Sequence, residues 1–231
     1  MRAALAPLAL AALLAAAPAF AQAPAASDAV APPSKAEQLL FMTPQMADMK
    51  TPRTLAYDYA SASAAGTTSD HARLATQPAA DGHCCAAHVE FLSGAQAISL
   101  PDLDDPQGNP ILMYFLESEV RQLERATKGQ SAHFRRRIRT ALADDAKVTD
   151  TTLRWNGKDV PAHVIRIAPY VTDPYRKRFE TEAATEYEFT LSDAVPGGVL
   201  RLAATVPAAK AGDPPVSTRS LTLAGTQPNT K

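Results

Sequence analysis

Apolar and polar residues alternate with a period of two in the sequence both before and after one predicted helical pair. This alternation limits the possible folds more than any other feature. The segment Leu55–Tyr59 places its large apolar side chains at every second position, which in a strand puts them on one face. The same period dominates the chain after Lys147 and includes Asn156-Gly157, a dipeptide typical of two-residue hairpins. Successive hairpins predict an antiparallel sheet with one buried face.

Residues 109–143 have helical spacing instead. Asn109 and Pro110 predict a helix start, and the segment Met113–Leu123 carries an apolar stripe at helical intervals. Gly129 predicts the end of this helix, and Ser131 begins a second one. The short connection predicts an antiparallel helical hairpin.

A capping box at Ser34–Glu37 predicts a further short helix that ends near Met42, before Pro44. The predicted fold class is therefore α+β: a curved antiparallel β-sheet with a short N-terminal helix and an inserted helical hairpin against its concave side. We expect a single domain over residues 34–224, followed by a flexible tail over residues 225–231.

The first 21 residues have the pattern of a secretory signal peptide. Arg2 precedes an Ala- and Leu-rich run over Leu8–Phe20, and Ala19-Phe20-Ala21 offers small residues at a cleavage site. Residues 22–33 are rich in Ala and Pro and are predicted to form a disordered leader. No later stretch approaches the roughly 18 apolar residues of a membrane span. With the Ala-rich, Arg-over-Lys composition, these features predict a bacterial protein that is periplasmic or secreted.

An arginine cluster in the second predicted helix is the candidate ligand-binding site. Arg135, Arg136 and Arg139 follow two arginines of the preceding helix, and guanidinium groups suit carboxylate and phosphate ligands. The alternative is a solvated helix face, balanced by the acidic residues nearby.

The segment His83–His88 concentrates the soft ligands of the chain, including its two adjacent cysteines, Cys84 and Cys85. On a strand, His83 and Cys85 share a face, so these two residues are the candidate metal ligands. A complete site needs a further ligand from elsewhere. The alternative is a pair of ordinary strand cysteines, since a bridge between adjacent cysteines holds no distant segments together.

The chain contains no nucleophile elbow, phosphate-binding loop, dinucleotide fingerprint or H-E-x-x-H motif, so no motif supports an enzyme or a cofactor. Its formal net charge is −1, and a near-neutral chain gives no general argument for nucleic-acid binding.

The layout resembles that of the LolA-like periplasmic carriers. The features that carry the resemblance are the helix at Ser34–Met42, the strand at Leu55–Tyr59, the helical hairpin at Asn109–Ala143 and the strands from Leu153 to Leu223. The resemblance is one of architecture, and it implies an amphiphile-sized apolar cavity between sheet and helices.

These observations favour an exported, non-enzymatic carrier that binds an apolar or amphipathic small molecule. One alternative is an accessory protein that acts by contact with a protein partner. Another is a metal or redox protein that uses Cys84 and Cys85.

Overall fold

Nine strands form one curved antiparallel sheet, accompanied by three helices, in the residues that the computed structural model describes (31–49, 52–78 and 84–228). This arrangement confirms the predicted α+β class. The strands are β1 Arg53–Ser63, β2 Gly66–Pro78, β3 Cys84–Phe91, β4 Leu103–Asp104, β5 Lys147–Trp155, β6 Lys158–Ile167, β7 Glu186–Leu191, β8 Val199–Val206 and β9 Ser217–Pro228. The helices are α1 Lys35–Glu37, α2 Ile111–Thr127 and α3 Ser131–Asp144. The predicted signal peptide, residues 22–30 of the leader, and His83 lie outside the described residues.

The N-terminal helix begins at the predicted capping box. The Ser34 hydroxyl accepts a hydrogen bond from the Glu37 amide at 3.1 Å, and the Glu37 carboxylate accepts one from the Ser34 amide at 2.9 Å. After α1 the chain continues as one wider turn over Gln38–Met42. Leu40 is fully buried there, so this turn contributes to the core, whereas the neighbouring Phe41 faces solvent.

The predicted helical pair is present, with two local differences at its ends. α2 begins one residue after Pro110, although the Asn109 side chain still accepts a hydrogen bond from the Ile111 amide. The left-handed residue that ends α2 is Lys128, with φ of 58°. Gly129 is required for a different reason, because a Cβ there would lie 2.5 Å from the Phe134 ring. No helix within the described ranges combines the length and apolar character needed to cross a membrane.

The strand order is β4-β3-β2-β1-β9-β8-β7-β6-β5. Neighbours along each half of the chain pair as hairpins or meanders, and β1 pairs with β9 to join the two halves. Because β4 and β5 lie at opposite edges, the intervening α2 and α3 connect one edge of the sheet to the other. β9 continues to Pro228, so its backbone pairing extends into the segment predicted as a tail.

One buried core joins sheet and helices. Tyr57 of β1, Phe189 of β7 and Leu221 of β9 are fully buried in the same apolar cluster as Phe115 of α2 and Phe134 of α3. All elements belong to a compact unit that begins at Pro33. The sheet therefore provides the wall against which the helices are fixed.

The segment over residues 95–100 forms no strand. Leu92 and Gly94 have positive φ values of 57° and 55°, and these turns bend the chain away from an extended path. A short 3₁₀ turn over Gly94–Gln96 follows, and Ile98 makes a single bridge to Phe91. This segment is a loop that lies beside the N-terminal half of the sheet.

Candidate functional site

An apolar groove of about 760 Å³ runs between the N-terminal turn and the two long helices. We call it the helix groove. It is lined by apolar side chains from α2, α3, the N-terminal turn and the loop before α2: Phe41, Leu100, Met113, Leu116, Val120, Ala132, Ile138 and Leu142. Its charged lining residues are Glu37, Glu117, Arg135 and Arg139. No residue of the nine strands contributes to this lining.

Large apolar side chains at the helix groove are open to solvent. Phe41 is 41% exposed, Leu100 40% and Met113 56%. Below them, Val120 and Ile138 are buried and continuous with the core. Scattered apolar residues are normal on protein surfaces, but a contiguous patch framed by polar residues marks a place where other molecules bind.

Two of the three arginines predicted to bind a ligand line the helix groove. Arg135 forms a fork with Glu117, with Nη2 2.9 Å from Oε2 and Nε 3.1 Å from the same oxygen. Arg121 also donates to Glu117, at 3.2 Å, so one carboxylate serves two guanidinium groups. Arg139 lies one turn beyond Arg135 on α3 and makes no ion pair within the described part of the chain.

Arg136, the third predicted arginine, is exposed but does not line the groove. Its Nη2 lies 3.1 Å from Nδ1 of His133. The His133 ring in turn has its Nε2 2.7 Å from the Asp173 carboxylate, which is completely buried and also paired with Arg137. The Tyr175 amide donates to the same carboxylate at 2.7 Å. This set therefore anchors the loop after β6 to α3.

The His133 side chain is largely covered by residues that lie far from it in sequence. Its imidazole is only 15% exposed, because Tyr175 and Phe179 fold back and pack their rings around it. The partner Asp173 lies 40 residues away. No local pattern links two residues at that separation.

A second cavity, of about 540 Å³, lies between the C-terminal half of α2, the β1–β2 turn and β9. We call it the polar cavity. It contains a buried ion pair: Arg219 Nε lies 2.8 Å from Glu119 Oε1, and Nη2 lies 2.8 Å from Oε2. The two side chains are 8% and 1% exposed. Two parallel hydrogen bonds make this pair a fork that fixes α2 on β9.

The electrostatics of the polar cavity follow from that burial. Burial opposes the charge of Arg219, but the adjacent Glu119 carboxylate outweighs it and raises the arginine pKa, with a smaller contribution from Glu182. Burial also raises the pKa of the Tyr59 phenol, and the charge of Glu119 adds to this effect. At neutral pH, Arg219 is therefore charged and Tyr59 is neutral.

The buried ion pair was missed from sequence, although a signal for it existed. Glu119 is one of several acidic residues close in sequence to the arginine cluster. It lies beside Val120 on α2, between apolar positions that face the core, and Arg219 shares a strand face with Leu221 and Leu223. An acid and a base that both lie on buried faces predict a buried pair.

The predicted metal ligands are only partly described. Cys85 is 8% exposed and disulfide-bonded, and its sulfur lies 3.1 Å from the Met49 carbonyl oxygen. A disulfide sulfur is not the thiolate that binds metal ions, so metal binding by His83 and Cys85 stays a prediction for the reduced chain. Within the described ranges, no three His, Cys, Asp or Glu side chains are grouped to hold a metal ion.

No family model matches the chain, and no curated protein matches it either. Among solved structures, lipoprotein LppX of Mycobacterium tuberculosis is 12% identical, covering 83% of this chain and 95% of its own, with a TM-score of 0.35. A putative outer membrane lipoprotein-sorting protein domain from Vibrio parahaemolyticus is 11% identical, covering 80% and 92%, with a TM-score of 0.23. Both are distant structural neighbours.

Proposed function

We propose that this chain is a non-enzymatic carrier that binds a single-chain anionic amphiphile in the helix groove after export to the periplasm. The apolar tail lies over Met113 and the buried floor of the groove. The anionic head pairs with Arg139. The ion pair between Arg135 and Glu117 forms the polar border next to it.

The observation that carries the proposal is an exposed apolar lining beside a guanidinium that has no ion-pair partner among the described residues. Each methylene that leaves water contributes about 0.8 kcal/mol, so a tail of several methylenes offsets the loss of freedom on binding. Arg139 is charged at every physiological pH. Anions are therefore favoured over neutral ligands of the same length.

The groove differs in position from the cavity implied by the architectural resemblance, which was expected between sheet and helices. Buried side chains fill much of that interface, and the polar cavity, which includes both strand and helix residues, contains the charged pair of Glu119 and Arg219. The apolar space lies instead along α2, α3 and the N-terminal turn. A ligand could therefore enter without separating the helices from the sheet.

Binding of 11-(dansylamino)undecanoic acid, followed by its fluorescence, tests the apolar part of the proposal. Met113→Asp places a charge in the groove and is expected to weaken binding about tenfold or more, which corresponds to about 1.4 kcal/mol. Met42→Asp is the matched control, because Met42 is 62% exposed and does not line the groove. Equal losses in the two variants would contradict the proposed site.

The head-group contact needs its own comparison. Arg139→Gln is expected to weaken binding of the dansylated acid but not of the uncharged probe N-phenyl-1-naphthylamine. Arg136→Gln on the same helix is the control, and it is expected to leave both affinities unchanged. A loss of affinity for the dansylated acid in Arg136→Gln and none in Arg139→Gln would contradict the contact with Arg139 and place the head group on the other side of α3.

A second candidate function is contact with a protein partner. Two observations favour it: Met42 and Leu103 are exposed outside the groove, and β5 pairs on only one side among the described strands. An edge of this kind can accept another strand. Native mass spectrometry of protein from the periplasm separates the two functions, since a bound amphiphile supports the carrier and a stoichiometric protein complex supports the accessory role.

A further inference from the structure

The polar cavity has the features of a ligand site that is separate from the helix groove. Its side chains face away from the groove, because Ser118, Arg121 and Arg125 occupy a different side of α2 from Met113 and Val120. Its volume is within the range of small-molecule sites. A ligand here would contact β1, β9 and α2 together.

The base of this cavity contains two buried charges that neutralise each other. Glu119 and Arg219 are bound to each other, and Arg219 Nη1 also donates to the Ser217 hydroxyl at 3.2 Å. A guanidinium has five N–H donors, and the described contacts use only some of them. The remaining donors can bind an acceptor on a ligand.

The mouth of the cavity carries an excess of positive charge. Arg121 and Arg125 are one helical turn apart, and like charges at that spacing repel each other. The only carboxylate bonded to Arg121 among the described residues is Glu117, which Arg135 shares. Within the described ranges, Arg125 donates only to the neutral side-chain carbonyl of Gln122, at 3.3 Å. An anion placed here would relieve that repulsion.

The remaining polar lining suits hydroxyl groups. Ser61, Ser63 and Ser217 supply hydroxyls that both donate and accept, and Glu182 supplies a carboxylate that accepts. An isolated anion would leave these groups without a ligand partner. From this arrangement we infer that the polar cavity binds a small hydroxyl-rich anion of the sugar-phosphate class, with the phosphate at Arg121 and Arg125.

Isothermal titration calorimetry with glucose 6-phosphate, glucose and inorganic phosphate tests the inference on the exported chain. Glucose 6-phosphate is expected to bind about tenfold or more tightly than either fragment, because only it uses both the arginines and the hydroxyl lining. Equal affinity for inorganic phosphate would overturn the hydroxyl-rich assignment, and no detectable heat from glucose 6-phosphate in the millimolar range would overturn the site.

Variants locate the binding. Arg125→Gln alters an exposed side chain and is expected to weaken glucose 6-phosphate binding about tenfold, whereas Arg136→Gln, on α3 and outside the cavity, is expected to have no effect. Ser63→Trp adds bulk to the lining and is expected to abolish binding. Neither Arg125 nor Ser63 lines the helix groove, so both variants keep their affinity for the dansylated acid. Loss of both ligands together would overturn the assignment of two separate sites.

Discussion

A buried ion pair and an exposed ion pair of this molecule are expected to contribute very differently to its free energy of unfolding. Glu119 and Arg219 are buried, whereas Glu188 pairs with the half-exposed Arg201 on the sheet surface. A buried pair that loses one member leaves an uncompensated charge in the core, whereas an exposed pair exchanges its partner for water. The extent to which each pair is buried therefore predicts how far the free energy of unfolding falls when one member is replaced.

Arg219→Met is expected to lower the free energy of unfolding by about 3–5 kcal/mol, because Glu119 remains buried without its partner. Arg201→Met is the control and is expected to cost about 1 kcal/mol or less. Urea unfolding measures both. The double variant Glu119→Leu/Arg219→Met removes both charges and is expected to recover most of the loss; a double variant as unstable as the single one would show that the ion pair itself is stabilising.

The Asp70 carboxylate makes the stability of the fold depend on pH in the acid range. Its burial tends to raise its pKa, but hydrogen bonds from the amides of His71 and Ser93 and from the Ser93 hydroxyl outweigh this and lower the pKa below 3.8. A group whose pKa is lower in the folded state stabilises the fold above its unfolded pKa, and that contribution disappears as the pH falls through the folded pKa.

Asp70→Asn is therefore expected to be less stable than the natural chain at neutral pH, with the difference shrinking as the pH falls below 3.8. Urea unfolding at a series of pH values measures the difference. Asp213→Asn is the control, since no side-chain hydrogen bond to its carboxylate is present among the described residues. A difference that stays constant down to pH 2 would mean that Asp70 acts through packing and not through its charge.

At the scale of elements, the helices and strands that depend on a local periodic pattern could be predicted from the sequence. The strand at Leu55–Tyr59, the Asn156-Gly157 hairpin and the helical pair are all present, since each depends on residues that are neighbours along the chain. The pairing of β1 with β9 and the bond between His133 and Asp173 depend on residues far apart in sequence. Periodicity contains no information about such pairings. The helix groove combines α2 and α3 with the N-terminal turn and the loop before α2, so it could not be predicted.

One glycine in the turn between β7 and β8 lies against both the start of α2 and β1. Gly197 has φ of 72°, and its carbonyl accepts a hydrogen bond from the side-chain Nδ2 of Asn109 at 2.7 Å, next to the start of α2. A Cβ on Gly197 would lie 2.6 Å from Leu55 and 2.9 Å from Asn109. By contrast, a Cβ on Gly157, with φ of 77°, would meet nothing within 4 Å.

The substitutions Gly197→Ala and Gly157→Ala therefore separate backbone strain from steric clash. Both place alanine in a left-handed conformation, at a cost of about 1–2 kcal/mol. Gly197→Ala is expected to cost about 1–3 kcal/mol more, because Leu55 and Asn109 must move to make room. Thermal unfolding of the two variants measures the difference. Equal losses would show that the contact with α2 adjusts without cost.

At the scale of the whole molecule, the topology joins sequence-distant halves into one sheet. The N-terminal half supplies β1 to β4 and the C-terminal half supplies β5 to β9, with contact through the pairing of β1 with β9. The helices connect the two outer edges and pack into the same core. A shared core of this kind predicts that both halves unfold in one cooperative transition.

Leu74→Ala tests this cooperativity, because Leu74 is fully buried in β2 and the only tryptophan, Trp155, lies on β5 at the opposite side of the sheet. The cavity left by the substitution is expected to lower the free energy of unfolding by about 2–5 kcal/mol. Tryptophan fluorescence and far-ultraviolet circular dichroism are expected to shift to the same new urea midpoint. Leu103→Ala, at an exposed position of β4, is expected to leave both midpoints in place.

If the fluorescence midpoint stayed unchanged in Leu74→Ala while the dichroism midpoint fell, the two halves would unfold independently. The β1–β9 pairing would then join two domains instead of completing one.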